Sequence, residues 1–314
     1  MTTQTIATVD LRDYADPAKR PHFITALGDA LRDLGFVAVE GYDIDSALFD
    51  ETYAAFRDFF ALPDDIKRTY EHPETGRRRG YTSFGIEHAK DNANPDLKEF
   101  FHVGRELPEG DPDRARLPIN VWPTEVATLK SRSMELYDAL DRVAFQLLEA
   151  FSVYLGETPD LLPSMAKKGN TIQRIIHYPV CDGFDEPGTM RAAQHEDINL
   201  MTLLPPAEES GLELLTRDGK WMPIEAIPGQ IIVDTGDMMK RITNDEIPAT
   251  THRVVNPKGD PRPRYSMPFF VHPHLDVMLE VLESCIAPGG AAKYPPINNE
   301  TFLLQRLQEI GVKA

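Results

Sequence analysis

Near the start of the chain, apolar and polar positions alternate, then recur every three or four residues, then alternate again. Ala7-Thr-Val-Asp-Leu11 reads as a short strand, the stretch from about His22 to Leu34 as a helix, and the run Gly35-Phe-Val-Ala-Val39 as a second strand. A further helix is predicted from about Ser46 to Phe60, with Phe49, Tyr53, Phe56 and Phe60 along one stripe and an end before Leu62-Pro63. Between Glu71 and Arg116 the periodicity is lost and Gly, Pro, Asp and Arg dominate, which predicts long loops around an opening. The longest helical pattern runs from about Thr124 to Leu155, carried by Val126, Leu129, Leu136, Leu140, Val143, Leu147, Phe151 and Tyr154. After Gly156 the pattern breaks into short apolar runs: Thr171–Ile176, Leu200–Leu204, Leu212–Leu215, Gln230–Val233, His252–Val255 and Tyr265–Val271. Turn residues separate these runs at the intervals of a sandwich or barrel, and a last helix is predicted from Glu300 to Ile310. The expected class is α+β with a mainly β core, a helical front and a helical tail.

Composition narrows what such a core can do. With 33 basic and 50 acidic side chains the formal charge is −17, which argues against nucleic acid as a partner, because neutralising phosphates requires a basic face. The same balance disfavours a strongly anionic substrate. No apolar run approaches the roughly 20 residues of a membrane span, and the opening Met1-Thr-Thr-Gln lacks the build of a secretory signal, so a soluble, cytoplasmic protein is expected. The cysteines Cys181 and Cys285 are too few for a disulfide framework or a Cys-rich zinc site. Any metal must therefore be held by His and carboxylate.

Gln194-His195-Glu196-Asp197 supplies both. In extended backbone alternate side chains share a face, so His195 and Asp197 converge while Glu196 points away. A third ligand can come from His252, which opens another predicted strand 57 residues later. Two imidazoles and one carboxylate on one face of an octahedral ion leave positions open, as non-haem Fe(II) needs to activate O₂; a structural zinc site would be closed. Downstream, Arg264 and Ser266 use the same two-residue spacing, and a guanidinium beside a hydroxyl suits a carboxylate.

His195-x-Asp197, His252-Arg-Val-Val and Arg264-x-Ser266 together resemble the isopenicillin N synthase-like family of Fe(II)/2-oxoglutarate-dependent oxygenases. The likeness extends over nearly the whole chain, through Val9-Asp10-Leu11, Gly35-Phe36-Val37, Phe59-Phe60-Ala-Leu62-Pro63, Lys67, Gly80-Tyr81 and Lys98-Glu99-Phe100. It continues through Tyr178-Pro179-x-Cys181, Leu203-Leu204, Gly211-Leu212, Asp218-Gly219-Lys-Trp221, Pro228-Gly229 and Gly236-Asp237-Met238. The resemblance implies a double-stranded β-helix (jelly roll) over residues 167–275, a helical and strand region over 1–160 and a C-terminal extension over 276–314. It implies Fe(2+) held by His195, Asp197 and His252, 2-oxoglutarate held at its distal carboxylate by Arg264 and Ser266, and Tyr178 touching that cosubstrate. Many plant members carry an asparagine two residues before this tyrosine; here Ile176 stands there, and Arg174 is the candidate for part of that role. The implied activity couples oxidative decarboxylation of 2-oxoglutarate, with O₂, to oxidation of a small-molecule C–H bond, usually hydroxylation. Within the same family stand direct oxidation by O₂ without 2-oxoglutarate and fragmentation of 2-oxoglutarate to ethylene; a non-catalytic metal or small-acid binding protein is the alternative from another class. The substrate and the oligomeric state are left open.

Several residues outside this set receive weaker expectations. Arg77-Arg78-Arg79 reads as a solvated charge run that could meet an anionic substrate. Tyr81, Phe84 and Phe101 are candidates for a pocket wall or for the core. Asp237 is expected to end a strand or cap a short helix at Met238, without chemistry. His22, His72, His88, His102, His177, His272 and His274 are read as ordinary polar residues, and Asn299-Glu300-Thr301 as a chance glycosylation pattern.

Overall fold

The structure, a computed structural model, describes residues 6–87, 95–180, 189–207, 209–225, 227–256 and 262–309. In chain order the strands are β1 (Thr8–Asp10), β2 (Phe36–Glu40), β3 (Gly80–Thr82), β4 (Glu99–Gly104), β5 (Ile172–Tyr178), β6 (Ala192–His195), β7 (Met201–Leu204), β8 (Leu212–Leu215), β9 (Trp221–Pro223), β10 (Ile231–Thr235), β11 (His252–Val254), β12 (Arg264–Ser266), β13 (Phe269–Val271), β14 (Met278–Leu279) and β15 (Ile297–Asn298). The helices are α1 (Arg12–Ala15), α2 (Arg20–Leu34), α3 (Ser46–Phe60), α4 (Asp64–Arg68), α5 (Leu129–Tyr154), α6 (Leu161–Ala166), α7 (Asp237–Ile242) and α8 (Asn299–Glu309). Among the described residues no helix is long and apolar enough to cross a membrane.

A nine-stranded sheet has the order β1-β2-β10-β7-β13-β5-β4-β3, with β12 also paired to β5, and a four-stranded sheet has the order β6-β11-β8-β9. These two sheets form the double-stranded β-helix. β2 shows why its sequence is an unbroken apolar run: Phe36 and Ala38 pack with Leu212, Leu214 and Met222 of the small sheet, whereas Val37 and Val39 join the cluster of the helices. A strand covered on both faces needs no polar side. On that second face Leu27 and Leu31 of α2, Phe56 and Phe59 of α3, and Leu140 and Leu147 of α5 pack with Val233, Leu203 and Phe269. This large helix-backed core fixes the big sheet, and the small sheet closes over its other side.

α3 has the predicted limits, capped by the Asp45 side chain on the Ala47 amide at 3.0 Å. α5 begins at Leu129, later than the apolar pattern implies, because Val126 belongs to the preceding turn and is nonetheless buried. The stripe continues past the helix end. α8 matches its prediction except for Ile310, which lies outside the described residues.

Candidate active site

His195 ends β6 and His252 begins β11, and the two are direct register partners across an antiparallel pair. That register brings together residues far apart in sequence. The Nε2 atoms of His195 and His252 lie 3.8 and 3.7 Å from Asp197 Oδ1, and the three donor atoms fall within 4.8 Å of one another. Each imidazole is oriented from behind: His195 Nδ1 donates to the Ala193 carbonyl at 2.7 Å and His252 Nδ1 to the Thr250 carbonyl at 3.1 Å. With the proton fixed on Nδ1, both Nε2 lone pairs are directed at the shared point. Burial lowers the His195 pKa to about 4, reinforced by His252, so the ring is neutral and competent to ligate at ordinary pH.

The aspartate is oriented as firmly. Thr202 Oγ1 donates to Asp197 Oδ2 and accepts from Asn199 Nδ2 at 2.8 Å, which leaves Oδ1 facing the histidines. Asp234 lies beside this pair, and burial, with the charge of Asp197, pushes its carboxyl well above the usual range. The loop is also tied to α7, whose Asp237 and Met238 amides donate to the carbonyls of Asp197 (2.9 Å) and Asn199 (3.1 Å). A Cβ on Gly236 would lie 2.4 Å from Asn199 Oδ1 and 2.7 Å from the Asp197 carbonyl, so only glycine permits this approach. On the other side Gly35 ends α2 in the left-handed region (φ 71°), and Thr250, whose carbonyl holds His252, donates to Leu34 O at 2.7 Å.

Arg264 and Ser266 face Tyr178 and Ile176 in the β12–β5 register. Arg264 is 2% exposed, with its guanidinium 5.1 Å from the centre of the Tyr178 ring. Its Nε donates to the Glu209 carbonyl at 3.1 Å, and Nη1 is buried with no hydrogen-bond partner among the described residues. A buried cation with an unused donor is costly, and a carboxylate brought by a ligand satisfies it. Ile176 and Tyr178 pack with Ala192 of β6 and Val254 of β11, so a single apolar cluster links the register partners of Arg264 and Ser266 to the strands of the histidines. A narrow space of about 20 Å³ adjoins Arg264 at Leu204 and Leu212.

The metal-facing side opens instead into a cavity of about 820 Å³, whose wall includes His195, Asp197, Phe100, Arg174 and Phe270. Arg174 donates from Nε to His102 Nε2 at 2.6 Å and from Nη1 to Glu87 at 3.2 Å. Its guanidinium lies 4.3 Å from the Phe100 ring centre. Burial, then the charge of Arg174, drives the His102 pKa far down, so this histidine is a neutral acceptor. His272 also lines the wall, held neutral by burial with a pKa of about 4. Both therefore differ from the ordinary polar residues expected; their signal was position, each in or beside a strand two residues from an aromatic at the cavity.

Other expectations are corrected. Arg77-Arg78-Arg79 is not a solvated run: Arg79 is 1% exposed and donates to Asn170 Oδ1 at 2.9 Å, and Arg77 and Arg78 stand in the cavity wall. Tyr81 and Phe101 belong to the core rather than to the wall, with Tyr81 donating to Glu99 and Phe101 packed on Phe59. Phe84 is exposed and outside the cavity lining. The wall aromatic is Phe100, because β4 turns alternate residues to opposite sides. Asp237 lies within α7, after Gly236, and also lines the cavity, where burial pushes its carboxyl to about 8. Asn299 is buried, its Nδ2 donating to the carbonyls of Pro273 and His274, and Cys285 is buried with its thiol pushed up to about 11. His88 and Cys181 lie outside the described residues.

The comparisons with known proteins agree with this geometry. Residues 169–273 match the family described as the 2OG-Fe(II) oxygenase superfamily, and residues 6–125 match the non-haem dioxygenase in morphine synthesis N-terminal family. The chain is 32% identical to the 2-oxoglutarate-dependent dioxygenase traH of Penicillium crustosum, over 86% of this chain and 85% of that protein. It is 30% identical to the proline hydroxylase buaE of Petromyces alliaceus, over 91% of this chain and 94% of that one. Among solved structures, a 2OG-Fe(II) oxygenase family protein from Caulobacter crescentus superposes with a TM-score of 0.88 at 40% identity, covering 98% of this chain and 100% of that one. A full-length Neurospora crassa protein, solved in complex with alpha-KG and thymine, superposes with a TM-score of 0.86 at 26% identity, covering 98% of this chain and 97% of that one. A double-stranded β-helix carrying two histidines and an aspartate with converging donor atoms is the architecture of the Fe(II)- and 2-oxoglutarate-dependent oxygenases. This chain belongs to the 2OG-Fe(II) oxygenase superfamily, with iron(II) and 2-oxoglutarate as its cofactor and cosubstrate.

Proposed function

We propose that His195, Asp197 and His252 hold the iron, that Arg264, Ser266 and Tyr178 hold the distal carboxylate of 2-oxoglutarate, and that the large cavity takes a small organic substrate. Arg174 is assigned to the substrate side of that cavity, since its guanidinium is committed to His102, Glu87 and Phe100. Residues 167–275 are then the catalytic core, 1–160 the N-terminal helical and strand region, and 276–314 the C-terminal helical extension, of which Leu303 and Leu307 line the cavity. When bound, iron(II) and 2-oxoglutarate supply the O₂-dependent oxidation of a substrate C–H bond, with succinate and CO₂ as coproducts. The chain's own part is positional. Thr202 holds one oxygen of Asp197 and leaves the other free, the Ala193 and Thr250 carbonyls hold the imidazole protons on Nδ1, and Arg264 offers a dry positive site for a carboxylate.

The observation that carries this reading is the convergence of three donor atoms within 4.8 Å, each oriented by a partner behind it. Adding Fe(II) and 2-oxoglutarate without oxygen is expected to produce a visible charge-transfer band, and Asp197→Ala or His195→Ala to abolish both the band and succinate formation. A band of undiminished strength in both variants sinks the assignment.

A further inference from the structure

We propose that the substrate of this site is an apolar carboxylic acid, whose carboxylate docks on Arg78 while its body lies against Ile172, Phe270, Leu303 and Leu307. The inference rests on the oxygenase reading only for what happens to the docked molecule, not for the docking.

Five cationic side chains stand in the cavity wall: Arg77, Arg78, Lys98, Arg174 and Arg306. Four have carboxylate partners. Arg77 pairs with Glu71 at 2.7 Å, Lys98 with Glu87 at 2.7 Å and Asp96 at 2.9 Å, Arg174 with Glu87 at 3.2 Å, and Arg306 with Glu309 at 3.0 Å. Arg78 is the exception: its Nε donates to the Thr75 carbonyl at 3.0 Å, and no carboxylate of the described residues lies within ion-pair distance. Arg78 is half-buried and its neighbour Arg79 fully so, bonded to Asn170 and to the Arg78 carbonyl rather than to an acid. Neither guanidinium has a carboxylate at ion-pair distance among the described residues, and Glu300 acts on Arg78 only from farther away. Burial lowers the pKa of both, that of Arg79 to about 10, and at Arg78 the charge of Glu300 offsets only part of that cost.

The acids of the wall do not relieve this. Glu87 and Asp96 are already engaged by Lys98 and Arg174, Asp237 and Glu309 lie 3.8 and 3.0 Å from Arg306, Glu196 lies 3.9 Å from Lys240, and Asp197 is one of the three converging donors. Five cationic side chains thus share the wall with six acidic ones, and what sets Arg78 apart is its lack of an ion pair rather than an excess of positive charge. One free guanidinium beside Ile172, Phe270, Leu303 and Leu307 selects a single carboxylate on an apolar body.

The test uses the zinc-substituted enzyme saturated with 2-oxoglutarate and small aryl and alkyl monocarboxylates, such as 3-phenylpropionate and hexanoate, each paired with its primary amide. Binding is read by saturation-transfer NMR and titration. Acids are expected to bind at least ten times more tightly than their amides. Arg78→Gln should lower acid affinity about 10- to 100-fold, the loss of one charge-assisted contact, and leave the amides unchanged. Arg78→Lys should retain the preference for acids. An intact iron–2-oxoglutarate band in Arg78→Gln shows that the variant is folded; loss of the band in the wild-type enzyme would count against the oxygenase reading, not against the docking. Equal binding of acids and amides, no binding by any acid of the panel, or undiminished acid affinity in Arg78→Gln overturns the proposal.

Discussion

A guanidinium that is 2% exposed is costly to bury unless something negative shares its site, and for Arg264 the protein supplies one backbone carbonyl and the face of Tyr178. Nη1 is left without a partner among the described residues, which is the basis for proposing a ligand carboxylate there. Arg264→Ala is therefore expected to act on cosubstrate binding far more than on iron. Loss of a charge-assisted, partly dry contact costs about 2–4 kcal/mol, so the half-saturating 2-oxoglutarate concentration should rise roughly 30- to 1000-fold. Steady-state succinate release against 2-oxoglutarate concentration measures this, and an unchanged requirement removes Arg264 from the clamp. At this scale the sequence was readable where strand alternation brings ligating atoms together: His195 and Asp197, two residues apart, converge with His252 within 4.8 Å. It was not readable at Arg77–Arg79, where composition says charged and only the fold turns Arg79 inward onto Asn170.

Among elements, the site depends on two junctions that bring distant segments within hydrogen-bond distance. β6 and β11 meet in a register that opposes His195 to His252, and the start of α7 meets the loop 197–199 at Gly236. The first junction is legible in part, because His252 opens a predicted strand while the short strand ending at His195 lies outside the predicted apolar runs; the second left no pattern, since a glycine before a short helix has many uses. Gly236→Ala tests it. The added methyl would stand 2.4 Å from Asn199 Oδ1 and 2.5 Å from the Asn199 carbonyl, so the loop that carries Asp197 must shift. The expected result is a folded protein, by circular dichroism, whose Fe(II) affinity falls about tenfold or more, in the range that disturbed ligand support usually costs. Wild-type affinity in that variant would show that the loop gives way without disturbing the ligand. The same dependence on register explains Phe100 and Phe101: adjacent aromatics in β4 look interchangeable in sequence, yet one lines the cavity and the other packs on Phe59.

Over the whole molecule, neutral histidines and carboxyls of raised pKa buried around the same cavity make stability depend on pH in opposite directions. His272 has a pKa of about 4 in the folded chain against an ordinary 6.5, because burial disfavours its charged form. Between those values the unfolded chain binds the extra proton, so this residue's effect is absent above about pH 6.5 and increasingly destabilising as pH falls towards 4. From pH 7.5 to 5 its share is about 2 kcal/mol of lost stability. Asp237 acts the other way: its carboxyl, raised from 3.8 to about 8, favours the folded state in acid and loses that advantage as pH rises through 8. A single wild-type titration would mix the two contributions, so the informative quantity is a difference between proteins. With metal removed, His272→Gln is expected to lose about 2 kcal/mol less than the wild type when urea unfolding is repeated at pH 7.5 and pH 5. Parallel losses in the two proteins would mean that His272 accepts its proton without unfolding, and that the cavity wall is wetter than its packing implies.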